Sequence, residues 1–144
     1  TRNNIRLIAK PADNSTKVIG TAERLIPEVD AIYVPLDNTV AAVIPSLVRL
    51  GQDNSTGKKV PLFASDPEGV RQGAVATIGF THYQEGMQTG KIVARVLRGE
   101  FPGNIPVRAP DTSALYINET AFKLSGLTIP NELLSQHSEV VRFE

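Results

Sequence analysis

The sequence predicts an α/β fold, a parallel sheet with helices on both faces. Three features of the 144 residues carry that expectation. Short apolar runs alternate with stretches whose apolar residues recur every three or four positions. The connections between them are short and built from Asp, Asn, Pro and Gly. The run Ala31–Pro35 is also continuous in apolar character, as suits a parallel strand covered on both faces.

Ile5–Lys10 is the first such run, ended by Pro11, and reads as a strand. Asp13, Asn14, Ser15 and Thr16 supply N-cap candidates for an amphipathic helix through Val18, Ile19, Ala22, Leu25 and Ile26. Ala31–Pro35 is the second strand. A buried helix from Asp37 to about Leu50 follows, with Pro45 expected to kink it. Gln52–Lys59 reads as an exposed loop and Val60–Ala64 as the third strand. Asp66 precedes a short helix with Pro67 at its first position. Val75–Phe80 is the fourth strand, and the longest helix runs from about His82 to Arg98, stopped by Gly99. Pro102, Gly103, Pro106 and Pro110 then break the chain around a short extended piece, Ile105–Arg108. Ala114–Ile117 is the fifth strand. Two short helices close the pattern, Asn118–Leu124 and one beginning at Pro130.

Composition removes several classes of function. Fifteen basic and fifteen acidic residues give no net charge, so nucleic acid is not an expected partner. With no cysteine and only His82 and His137 as histidines, no metal site or thiolate chemistry is expected, and no cofactor is implied. Apolar runs such as Thr39–Pro45 are far too short to span a bilayer. Thr1 heads the chain without an initiator Met, signal peptide or lipidated Cys, so a processed product or a fragment is expected.

In such sheets ligands bind beyond the carboxyl ends of the strands. Two strands end in the same chemistry there, Leu36-Asp37-Asn38-Thr39 and Ala64-Ser65-Asp66-Pro67. The helix starts offer N–H groups to an anion and the Asp side chains offer charge to a cation, which together suit a zwitterion. Each Asp also reads simply as an N-cap that needs no ligand. No His, Lys or Cys accompanies the two carboxylates in a second chemical role, so no catalytic residue is assigned and an enzyme is not expected. His82 reads as a cap-region or surface residue. Gly86 and Gly90, four apart on a helix with Gln84, Glu85, Gln88, Lys91 and Arg95, point to close approach of a neighbouring element.

Asp30–Val40, Val60–Asp66, Val75–Gly79, Tyr83–Gly90, Leu115–Asn118 and Gly126–Pro130 together resemble one family of ABC-transporter substrate-binding proteins, the tryptophan- and phenylalanine-binding lipoprotein type. That family's members have two lobes, and the likeness is to the C-terminal half only. The resemblance implies one lobe of a type I periplasmic-binding-protein fold. Residues 1–79 would form the core of the second lobe. Residues 80–110 would hold a hinge crossing and a long helix packed on the first lobe, and 111–144 the return strand and C-terminal helices. Crossings between lobes would fall before Thr1, at Phe80–Tyr83 and at Val107–Ser113. The ligand would meet Asp37, Asn38, Thr39, Ser65, Asp66 and Tyr83. The helix from Tyr83 to Arg98 would turn Met87, Ile92, Val93 and Val96 to the first lobe or, without it, to a second copy. The loop at 51–59 looks longer than the family's, on the edge away from the ligand.

The implied function is the solute-binding component of an ABC uptake system. It would take an aromatic or other hydrophobic amino acid and pass it to permease subunits, at the periplasmic or extracellular face of a bacterial membrane, lipid-anchored in the full-length protein. The alternative is the ligand-sensing effector domain of a transcription regulator on the same fold. An enzyme of flavodoxin-like architecture is the third reading.

Overall fold

A computed structural model describes residues 4–53, 57–108 and 113–144. The strands are β1 (Ile32–Val34), β2 (Leu62–Ala64), β3 (Ala76–Gly79), β4 (Ala114–Asn118) and β5 (Val140–Phe143). The helices are α1 (Ser15–Leu25), α2 (Asn38–Ala41), α3 (Ile44–Gln52), α4 (Pro67–Arg71), α5 (His82–Leu97), α6 (Glu119–Leu124) and α7 (Asn131–Ser135).

β1 pairs with β2 in parallel, Ile32 opposite Leu62 and Val34 opposite Ala64. Val75 N–H donates to Leu62 C=O at 2.6 Å, joining β2 to the start of β3. A Cβ on Gly79 would lie 3.5 Å from Pro67, just past the end of β2, so β3 runs the same way as β2. β4 returns antiparallel to β3, Gly79 opposite Ala114, and β5 pairs in parallel with β4. The antiparallel step has a simple cause. α5 leaves the end of β3 with none of its residues buried, so it is not a crossover helix laid across the sheet, and the chain re-enters at the edge it left.

β4 is buried along its whole length. Leu115 and Ile117 face Ala121 and Phe122 of α6, with Leu133 and Leu134 of α7 beyond. Ala114 and Tyr116 face the other way, onto Val70 of α4, Val141 and Phe143. Tyr116 and Phe143 stack at 6.3 Å, and the Arg71 guanidinium lies 5.0 Å from the Phe143 ring. A second cluster packs Val18 and Ala22 of α1 and Ile44 and Leu47 of α3 against Val34, Leu62 and Ala64. Helices therefore cover the sheet on both faces.

Three expectations change. Ile5–Lys10 is not a strand. It has apolar content but no ladder partner, and pairing rather than composition makes a strand. The helix from Asp37 to Leu50 is two helices broken at Ala42–Val43 rather than one kinked rod. Pro45 sits in the first turn of α3, where no N–H is required, and so starts a helix instead of bending one. β5 lies in a tail with no strand assigned from sequence, because Val140–Phe143 is only four residues long and becomes a strand by pairing with the edge of β4. The Asn54–Thr56 part of the predicted loop and residues 109–112 of the predicted third crossing lie outside the described residues.

Candidate functional site

Three strand-to-helix turns meet at one edge of the sheet, since β1, β2 and β3 are adjacent and run alike. In the first, Asp37 is extended (φ −147°) and its Oδ1 accepts from Thr39 N–H at 2.8 Å and Val40 N–H at 3.2 Å, capping α2. In the second, Asp66 Oδ1 accepts from Gly69 N–H at 3.0 Å and caps α4. Gly69 is required there, because a Cβ would stand 2.5 Å from the Ala64 Cβ. In the third, Thr81 and Gln84 form a capping box at the start of α5: Gln84 N–H donates to Thr81 Oγ1 at 3.2 Å and Thr81 N–H to Gln84 Oε1 at 2.8 Å. The N-terminus of α1 joins this edge through Ser15 Oγ, which donates to Thr39 C=O at 3.3 Å.

The capping geometry alters one expectation. The helix-start N–H groups of Thr39, Val40 and Gly69, expected to face an anion, are spent on the two carboxylates. All of these bonds end on Oδ1, so each Asp keeps its second oxygen for a cation or donor. Ser65 Oγ is shielded from solvent and has no hydrogen-bond partner. Such an orphan costs about 1–3 kcal/mol. Asn38 is exposed and Thr39 half-buried. Tyr83 and Leu36 are each 75% exposed, large apolar groups left uncovered on the rim of the polar turns.

Sequence alone marks His82 only as a cap-region or surface side chain. It lies within electrostatic reach of Asp66 and bonds Glu85 Oε2 through Nδ1 at 3.0 Å. Glu85 first, and Asp66 after it, hold the imidazole above its ordinary pKa. Its position directly after β3, next to Tyr83, is the sequence signal that places it here. All six residues expected at the ligand therefore fall on the three turns. A hollow of about 330 Å³ lies elsewhere, between Lys10–Pro11 and Thr21, Arg24, Leu25 and Glu28. None of the six lines it. Among the described residues no group of three His, Cys, Asp or Glu side chains is placed to hold a metal ion, and no helix is long and apolar enough to cross a membrane.

Residues 1–141 match the model of the family described as ABC transporter substrate binding protein. A tyrosine-binding protein of Clostridioides difficile is 30% identical over 122 residues, 85% of this chain and 34% of that protein. The ABC domain of Streptococcus pneumoniae in complex with L-Trp superposes with a TM-score of 0.79 at 28% identity, over 97% of this chain and 46% of that one. A conserved domain protein of Vibrio cholerae gives a TM-score of 0.78 at 33% identity, over 96% of this chain and 46% of that one. The chain belongs to the ABC transporter substrate-binding protein family, whose members bind their substrates and do not convert them. It spans about a third of the curated relative and just under half of each solved chain.

Proposed function

We propose that this chain carries the second-lobe half of the cleft of a two-lobed solute receptor, and that the ligand is an amino acid with an aromatic or other hydrophobic side chain. The observation that carries this is the convergence of Asp37, Ser65, Asp66 and Tyr83 on adjacent turns of one edge in a chain about half as long as its solved relatives. In this reading the second oxygens of Asp37 and Asp66 take the ligand ammonium. Asn38 and Thr39 add polar contacts, and Ser65 Oγ turns to meet the ligand, which ends its orphan state. Leu36 and Tyr83 lie along the side chain. The ligand carboxylate is left to the opposite lobe, because the nearby N–H groups are already capped. The aromatic ligands named for the Clostridioides and Streptococcus proteins agree with that choice.

Residues 1–79 and 111–144 then build the lobe, and residues 80–110 leave it through α5. Met87, Val93 and Val96 of α5 are exposed in this chain and dock on the first lobe. The intact receptor closes on its ligand and delivers it to permease subunits at the outer side of the cytoplasmic membrane, held there by a lipid anchor. Closure supplies the affinity, since small ligands are held by burying most of their surface. Calorimetry with L-tyrosine, L-tryptophan, L-phenylalanine and L-leucine tests this. The two-lobed protein binds at least one of them, and the isolated 144-residue chain binds it about a hundredfold or more weakly. Equal affinity for the isolated chain contradicts the two-lobe cleft.

A further inference from the structure

The three turns carry a single basic side chain. Residues 35–40, 64–69 and 79–85 hold Asp37, Asp66, Glu68 and Glu85 against His82 alone. The end of β3 lies against the start of α4, since a Cβ on Gly79 would stand 3.5 Å from Pro67, the residue after Asp66. Three residues beyond Gly79, His82 opens α5.

Each partner in this corner has a free side. The His82 imidazole is bonded through Nδ1 to Glu85 Oε2 at 3.0 Å and is 94% exposed, and no described residue bonds its Nε2. Asp66 spends Oδ1 on Gly69 N–H, and no described residue bonds its Oδ2. The charged groups that reach the imidazole are Glu85 on its own helix and, more weakly, Asp66 on the neighbouring turn. A proton on His82 is therefore stabilised in part by the carboxylate that an incoming ammonium would use.

We propose that His82 sets the pH dependence of ligand capture, because its imidazolium and the ligand ammonium compete for Asp66. The inference rests on the reading that Asp66 takes the ammonium. Protonated His82 offsets the Asp66 charge and repels a second cation, whereas neutral His82 does neither. Ligand is held more tightly at a pH above the His82 titration than below it. For two exposed, partly screened cations the competition is worth about three- to tenfold in affinity. Linkage makes the effect reciprocal, so bound ligand lowers the His82 pKa by the same factor, a fall of about 0.5–1. Because Glu85 and Asp66 raise that pKa above 6.5 in the ligand-free protein, the change in affinity falls near neutral pH.

Calorimetric titration of the two-lobed protein with L-tyrosine, L-tryptophan, L-phenylalanine and L-leucine at about pH 5.5 and pH 8 reads the effect. The amino acid that binds should do so about three- to tenfold more tightly at the higher pH, and His82→Gln should remove most of that difference. Histidine NMR of the same protein supplies a second readout. Saturating ligand should lower the His82 pKa by about 0.5–1, and Asp66→Asn should lower it in the ligand-free protein. A pH dependence unchanged by His82→Gln overturns the inference. So does a His82 pKa that neither ligand nor Asp66→Asn moves. Failure of the underlying reading looks different. Full affinity in the Asp66→Asn protein, or no binding of any of the four amino acids, takes the ammonium away from Asp66 and the competition with it.

Discussion

Replacing both Gly86 and Gly90 by Ala probes whether α5 lacks its partner. A Cβ at either position meets nothing within 4 Å, and no residue of α5 is buried. The substitution therefore acts on the isolated chain only through helix propensity, about 0.8–1 kcal/mol per site and about 2 kcal/mol for the pair. Because α5 has no buried anchor, it opens locally rather than with the core. The gain should appear as amide exchange in α5 slowed about 10–30-fold, with the global urea midpoint nearly unmoved. In the two-lobed protein the same methyl groups enter a face meant for close approach, and should cost about 1–3 kcal/mol of interlobe packing. A global midpoint that rises by the full ~2 kcal/mol in the isolated chain would show that α5 unfolds with the core. A double variant that stabilises the two-lobed protein would show that no lobe packs there. Either result refutes the reasoning.

Gly69→Ala should destabilise by about 1–3 kcal/mol, because its Cβ would lie 2.5 Å from that of Ala64; urea unfolding with an unchanged slope measures it. Asn118→Ala should cost about 2–4 kcal/mol by the same assay. The buried amide donates to Val70 C=O at 3.2 Å and accepts from Ala121 N–H at 2.8 Å, and its loss orphans both groups. His82 should titrate above its ordinary 6.5 by NMR, and Glu85→Gln should bring it back down. The pair's stabilising contribution is complete below about 6.5 and fades as the pH rises through the folded-state pKa, since the raised pKa means that the folded state holds the proton more tightly.

The parts of this fold that are legible in the sequence are those written in local residues. Asp37, Asp66 and Asn118 cap helices from the positions their types suggest, and β4 is covered on both faces as its unbroken Ala-Leu-Tyr-Ile run requires. What is not legible depends on partners distant in the chain. Ile5–Lys10 has strand composition and no strand to pair with, whereas Val140–Phe143 is shorter and is made a strand by β4. Pro45 carries the same ambiguity, a breaker mid-helix and a good starter in a first turn, and only the backbone break at Ala42–Val43 decides between them. At the site, residue types mark the turns correctly. They do not reveal that the caps consume the N–H groups an anion would need, nor that His82 stands close enough to sense Asp66.

The claim on which the account rests is that the Asp37 and Asp66 turns grip the ligand. Its most direct test is calorimetric titration of the two-lobed protein carrying Asp37→Asn or Asp66→Asn, beside an Asp13→Asn control at an exposed pair with Lys17. Asn keeps the cap, so the fold should survive. The account predicts affinity lower by about tenfold or more for each site variant, from the lost charge on the ammonium, and an unchanged control. Wild-type affinity in both the Asp37→Asn and the Asp66→Asn protein would contradict it.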